Sequence, residues 1–244
     1  MQSLENKIYK QFNRAIKDFN MLSENDHVLV GLSGGKDSLC LLEMLAKRQK
    51  ITVPNFTVEA LHIRMANIQY ETDTNYLKQI CDSLGIKLNI ITTEIKNDST
   101  GTDISSQKNK KSACFLCSWY RRKAIFKYAQ DNGFTKISLG HHMDDIIHTT
   151  LLNEFYQGTF ATMPAVMKMD HIAITIIRPL CLIKEQDIIA YATSKQYKDQ
   201  IKKCPFEHKS NRTEMKKIFS QIERINPEAR FSLWHALMKE GKLN

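Results

Sequence analysis

Ser33-Gly34-Gly35-Lys36-Asp37-Ser38 lies where a strand-like run meets a helix-like one, and that position decides the fold. Upstream, His27-Val28-Leu29-Val30-Gly31-Leu32 is apolar and β-branched, the pattern of a buried strand. Downstream, Leu39, Leu41, Leu42, Met44 and Leu45 supply the apolar face of a helix. A glycine loop at such a junction lets backbone N–H groups approach phosphate oxygens, and the helix N-terminus adds partial positive charge. Lys36 adds a full charge, and the hydroxyls of Ser33 and Ser38 add donors. The stretch is a phosphate cradle.

Two familiar cradles are excluded. A Walker loop would need glycine at position 30, where Val30 stands, and Ser or Thr at position 37, where Asp37 stands. No Gly-x-Gly-x-x-Gly is present. Outward from the loop, strand patterns at residues 28–32, 57–63, 87–92 and 136–139 alternate with helical patterns at 38–47, 73–84 and 118–130. Residues 171–177 are a fifth candidate strand. Alternation of this kind predicts an α/β fold, a doubly wound and mainly parallel sheet, with ligands beyond the carboxyl ends of its strands. Residues 1–22 read as an amphipathic helix carrying Ile8, Phe12, Ile16 and Phe19 on one face. Residues 23–183 form the main domain, 97–111 a polar loop, and 184–244 a helical C-terminal appendage.

The net charge of +9 is unevenly spread. Lys108, Lys110, Lys111, Arg121, Arg122, Lys123 and Lys127 surround one cysteine pair. Lys195, Lys198, Lys202, Lys203, Lys209, Arg212, Lys216 and Lys217 surround a later cysteine. Such segments suit a polyanion such as nucleic acid. No apolar run is long enough for a bilayer and the N-terminus has no signal-peptide core, so no membrane partner and a cytoplasmic location are expected.

Asp144 and Asp145 follow the strand pattern at 136–139, where carboxylates can hold magnesium or orient a reacting group. The plainer reading is an acidic first turn of a helix. His141 and His142 suit hydrogen bonding near a nucleotide better than metal ligation. Cys40, Cys81 and Cys181 fall in apolar contexts and read as buried thiols. Cys114-Phe115-Leu116-Cys117 differs: a C-x-x-C followed by Arg121, Arg122 and Lys123 favours thiolates, metal or redox chemistry. Cys204 is the natural third ligand. Three cysteines fit a cubane cluster with one open iron, and they also fit zinc with one open position.

The loop resembles the Ser-Gly-Gly-x-Asp-Ser signature of the PP-loop ATP pyrophosphatases, which activate a carbonyl oxygen as an adenylate. With Cys114 through Ser118, Arg121-Arg122, Leu139-Gly140-His141-His142-Met143-Asp144-Asp145, Met163-Pro164, Ile177-Arg178-Pro179-Leu180 and Cys204, the chain is similar to the tRNA 2-thiocytidine synthetase family over residues 28–219. The resemblance implies replacement of the C2 oxygen of cytidine 32 by sulfur, using ATP, Mg2+ and a [4Fe-4S] cluster. It implies ATP phosphates on Ser33, Gly34, Gly35, Lys36, Asp37 and Ser38, Ile63 near the adenine, and Gly140 close against the nucleotide. It further implies Asp145, Arg121 and Lys36 as catalytic groups and Cys114, Cys117 and Cys204 as cluster ligands. Expected partners are tRNA, a sulfur donor such as a cysteine desulfurase, and a second copy of the chain in a homodimer, with the N-terminal helix as the contact. The chain departs from the family pattern at His148, at Arg64 and after Cys204. Two other functions compete: a lysidine-synthetase-like PP-loop ligase, and a noncatalytic RNA-binding module stabilised by zinc.

Overall fold

The computed structural model describes residues 2–66, 72–94, 113–199 and 211–243. The elements are α1 (Gln2–Asp18), β1 (Asp26–Gly31), α2 (Lys36–Gln49), β2 (Phe56–Met65), α3 (Thr74–Leu84), β3 (Lys87–Thr93) and α4 (Ala113–Asp131). There follow β4 (Lys136–Ser138), α5 (Met143–Gln157), β5 (Val166–Lys168), β6 (Thr175–Ile177), α6 (Glu185–Ser194), α7 (Asn211–Ile225) and α8 (Ala229–Lys239).

Side chains alternate across a strand, and β1 uses both of its faces. Val28 and Val30 enter a large core shared with α1, α2, α3 and α5, whereas Leu29 enters a smaller core under α4. A strand buried on both faces must be apolar at consecutive positions, which is why it reads as a continuous run. The smaller core joins Leu29 to Leu61, Ile137, Ile125 and Ala129. Among the described helices, α4 is the one that covers this second face.

The strand order is β3-β2-β1-β4-β6-β5. All neighbours are parallel except β5, which runs antiparallel to β6. The chain moves outward from β1 to β3 and then crosses back to β4 on the other side of β1. The order therefore reverses between β1 and β4, and a crevice opens at their carboxyl ends. The phosphate loop leaves β1 there, and Gly140 follows β4 there.

The expected strand at 171–177 shortens to Thr175–Ile177, because Met169 N–H bonds the Ile174 carbonyl at 3.2 Å and turns the chain before it. Its partner Val166–Lys168 is three residues long, too short to show a period. Ile8, Phe12, Ala15, Ile16 and Phe19 of α1 are buried, so the apolar face of this helix packs on the main core. Ile188, Tyr191, Trp234, Leu237 and Leu243 from the C-terminal quarter share that core. No described helix is long and apolar enough to cross a membrane. The loop at 97–111, the side chain of Cys114 and all of Cys204 lie outside the described residues and side chains.

Candidate active site

Gly34 adopts φ +84°, a left-handed conformation that a side chain would strain. Gly35 then caps α2 without any side-chain hydrogen bond, so no side chain fills the start of the helix and its first amides suit an anion. Both loop hydroxyls are turned inward. Ser38 Oγ donates to the Gly35 carbonyl at 2.9 Å, while Ser33 Oγ accepts from Gly35 N–H at 3.3 Å and lies 3.2 Å from Ser38 Oγ. The serines thus brace the loop from within.

Lys36 Nζ lies 3.0 Å from Asp37 Oδ1 and 3.3 Å from Glu185 Oε1. Burial pulls the ammonium down, but the two carboxylates outweigh it and hold Lys36 above the usual lysine range. Burial alone would push Glu185 up. Lys216 and Lys36 overcome it and bring that carboxyl down to about 2.

Gly140 packs on the same loop. A Cβ there would lie 3.0 Å from the Asp37 carbonyl carbon and 3.1 Å from Ser38 N. His142 caps α5 in a reciprocal box: its N–H donates to Asp145 Oδ2 at 3.1 Å, and its Nδ1 accepts from Asp145 N–H at 3.4 Å. His142 Nε2 also lies 3.8 Å from Asp37 Oδ1, which links the two acidic loops.

The paired carboxylates divide their labour. Asp144 is buried, accepts from Glu185 N–H at 2.7 Å and pairs with Arg230 at 2.6 Å, tying α5 to α6 and α8. Asp145 turns toward the crevice, with Oδ1 3.4 Å from Arg212 Nη2. His141 Nδ1 accepts from Arg178 Nε at 3.2 Å, which leaves the imidazole proton on Nε2. Burial, then the charge of Arg178, brings His141 down to about 4. Arg178, itself brought down to about 10 by burial, also donates to the Pro164 carbonyl.

A cavity of about 150 Å³ at the strand ends is lined by Gly31, Ser33, Ile63, Leu139 and Arg121. His62 braces its wall with an Nδ1 contact of 2.8 Å to the Leu32 carbonyl, and burial lowers the His62 pKa. Arg121 stands one turn beyond the half-buried Cys117 on α4. The backbone of 34–37 faces a second, larger cavity of about 560 Å³, completed by Ile189, Thr193 and Tyr197. Lys36, Asp37, Ser38, Gly140 and Asp145 thus converge on one crevice, with Ile63 and Arg121 on the adjoining cavity.

Three residues were singled out by no motif reading as parts of this crevice: Glu185, Arg212 and Lys216. Glu185 follows a featureless lysine, and the two cations belong to the basic segment read from the sequence as suited to a nucleic acid. Several of that run's described members are paired with acids: Lys195 with Glu5, Lys198 with Asp73 and Lys217 with Glu214. Cys40, Cys81 and Cys181 are buried as expected, and burial raises each thiol, Cys81 to about 11. No metal-binding cluster of His, Cys, Asp and Glu occurs among the described residues.

Residues 4–212 match the family model of the PP-loop domain. The chain is 39% identical over 182 residues to a tRNA-cytidine(32) 2-sulfurtransferase from Bdellovibrio bacteriovorus, covering 75% of this chain and 68% of that protein. It is 33% identical over 240 residues to a tRNA-cytidine(32) 2-sulfurtransferase from Francisella tularensis subsp. novicida, covering 97% and 87%. A solved structure, the U34-tRNA thiolase from Methanococcus maripaludis with its [4Fe-4S] cluster, superposes with TM-score 0.80 at 22% identity, over 98% of this chain and 80% of that one. At that identity the likeness speaks for the fold.

Proposed function

The chain belongs to the PP-loop family, in the group of the tRNA-cytidine(32) 2-sulfurtransferases, and we propose that it is an ATP-dependent tRNA thiolase acting on cytidine 32. The observation that carries this reading is the shared cavity: Ser33 of the phosphate loop and Arg121, one turn beyond Cys117, line the same space. Activation and sulfur delivery must meet at one carbon, and this arrangement lets them.

The start of α2, where Gly35 brings no capping side chain, and Lys36 hold the ATP phosphates, and Gly31, Ile63 and Leu139 receive the adenine. Asp145 would hold Mg2+ or orient the nucleophile. The cytidine O2 attacks the α-phosphate, its new bond replaces the bond to pyrophosphate, and pyrophosphate leaves. Sulfur then adds at C2, and AMP leaves with the former O2. Arg121 stabilises the charge that develops on the phosphate.

The donor set suits a [4Fe-4S] cluster. Positions 114 and 117 fall one turn apart at the start of α4, where the helix N-terminus favours thiolates. Cys114, Cys117 and Cys204 would hold the cluster, which would supply an open iron for sulfur. The sulfur enters at the oxidation level of sulfide, so sulfide serves directly and a desulfurase-type protein, whose persulfide sulfur lies two electrons higher, serves with two thiols as reductant; the reaction belongs to the cytoplasm. Mass spectrometry of tRNA nucleosides from cells with and without the gene tests this: 2-thiocytidine disappears with the gene, and an unchanged profile refutes the assignment.

A further inference from the structure

Arg212 and Lys216 stand four residues apart on α7, one helical turn, and both reach into the crevice. Arg212 Nη2 lies 3.4 Å from Asp145 Oδ1 and donates to Thr149 Oγ1 at 3.3 Å. Lys216 Nζ bonds Glu185 Oε2, while Glu185 Oε1 lies 3.3 Å from Lys36. A single helix face therefore sets its cations against the carboxylates that border the phosphate loop.

The charges cancel. Lys36, Arg212 and Lys216 face Asp37, Asp145 and Glu185 through the contacts of this cluster. A triphosphate entering a neutral cluster must take cations away from these carboxylates, or it meets their repulsion. Arg212 is the cation suited to move: its side chain is 46% exposed, and its contact with Asp145 is long for a charge-assisted hydrogen bond. Asp145 has its other oxygen committed to His142 N–H, so Oδ1, the atom facing Arg212, is the one left for a divalent cation.

We propose that Arg212 is a phosphate-positioning residue that exchanges Asp145 for the ATP phosphates when the magnesium nucleotide enters. Asp145 is released to the cation in the same movement. Lys216 stays with Glu185, so that Lys36 can leave that carboxylate for phosphate without stranding it. The inference rests on the ATP reading above.

Calorimetry with a nonhydrolysable ATP analogue and Mg2+ tests it without need of the cluster. Loss of one charge-assisted contact predicts analogue affinity about ten- to a hundredfold weaker in Arg212→Ala, with partial recovery in Arg212→Lys. Adenosine, which has no phosphate, binds all three proteins equally. An Arg212→Ala protein that binds the analogue as the parent does, or that loses adenosine to the same degree, overturns the proposal. A parent protein that fails to bind the analogue refutes the ATP reading itself, and the positioning role falls with it.

Discussion

Gly140 and Asp37 touch where a side chain could not fit: a Cβ on Gly140 would stand 3.0 Å from the Asp37 carbonyl carbon and 3.1 Å from its oxygen. This contact sets the second acidic loop against the phosphate loop. Gly140→Ala must push residues 37 and 38 by a few tenths of an ångström. Backbone cannot swing away as a flexible side chain would, so overpacking should cost about 1–3 kcal/mol. The expected result is a lower melting temperature and a raised KM for ATP. Unchanged values of both would mean that the two loops move independently.

Asp144 and Asp145 should fail in opposite ways. Asp144 pairs with Arg230 at 2.6 Å and receives Glu185 N–H at 2.7 Å, so Asp144→Ala leaves that N–H without its acceptor and leaves the buried guanidinium with Glu223 alone, and should destabilise the fold by about 1–3 kcal/mol. Asp145→Asn keeps an oxygen for the His142 cap and should melt near the parent temperature while losing turnover. Urea unfolding of both variants, beside pyrophosphate release, reads the two effects separately.

His141 gives the fold a pH dependence of known sign. Its folded pKa is about 4 because burial, and then Arg178, disfavour the charged ring, against an ordinary value of 6.5. Between those limits the unfolded chain takes a proton that the folded chain refuses, so stability falls as pH drops from 6.5 toward 4. His141→Asn keeps an acceptor for Arg178 and removes this titration. Denaturant midpoints at pH 7 and pH 5 should therefore lie closer together in the variant than in the parent, the gap that remains belonging to His62 and His148, which burial also lowers; a gap as wide as the parent's would assign the whole loss to those groups.

On α4, Trp119 is 44% exposed and Lys123 Nζ stands 5.2 Å over its ring. A stacking face beside a cation suits an unpaired nucleotide of the proposed tRNA substrate. Trp119→Ala should weaken tRNA binding by about 1–3 kcal/mol. Lys123→Gln should lower the salt slope of binding by about one. Filter binding across a salt series measures both, and unaltered slopes would move the RNA to another face.

The frame was legible because its signals are local. The strand before the loop is apolar at every position from Val28 to Val30, and the helix after it is apolar and buried at nearly every position from Leu39 to Ala46. Val166–Lys168 is too short to carry a period and exists as a strand only through its pairing with β6. The site was legible in the same measure. Ser33, Lys36, Gly140 and Asp145 sit at element junctions, where residue type and position coincide. Glu185, Arg212 and Lys216 were not, since their partners lie on other helices and nothing nearby in sequence distinguishes them from surface charge. The acidic pair shows the limit: adjacent residues of one type hold different tasks because helix rotation sends one inward and the other to the crevice.

The central claim, that ATP activation and cysteine-dependent sulfur transfer serve one tRNA base, is tested most directly by in vitro thiolation. Anaerobically reconstituted protein is incubated with unmodified tRNA, ATP, Mg2+ and sulfide, and the digested nucleosides are weighed by mass spectrometry. The account predicts 2-thiocytidine from the parent protein and none from Cys204→Ala, which still binds ATP. Normal 2-thiocytidine from Cys204→Ala, or none from the parent protein, would contradict it.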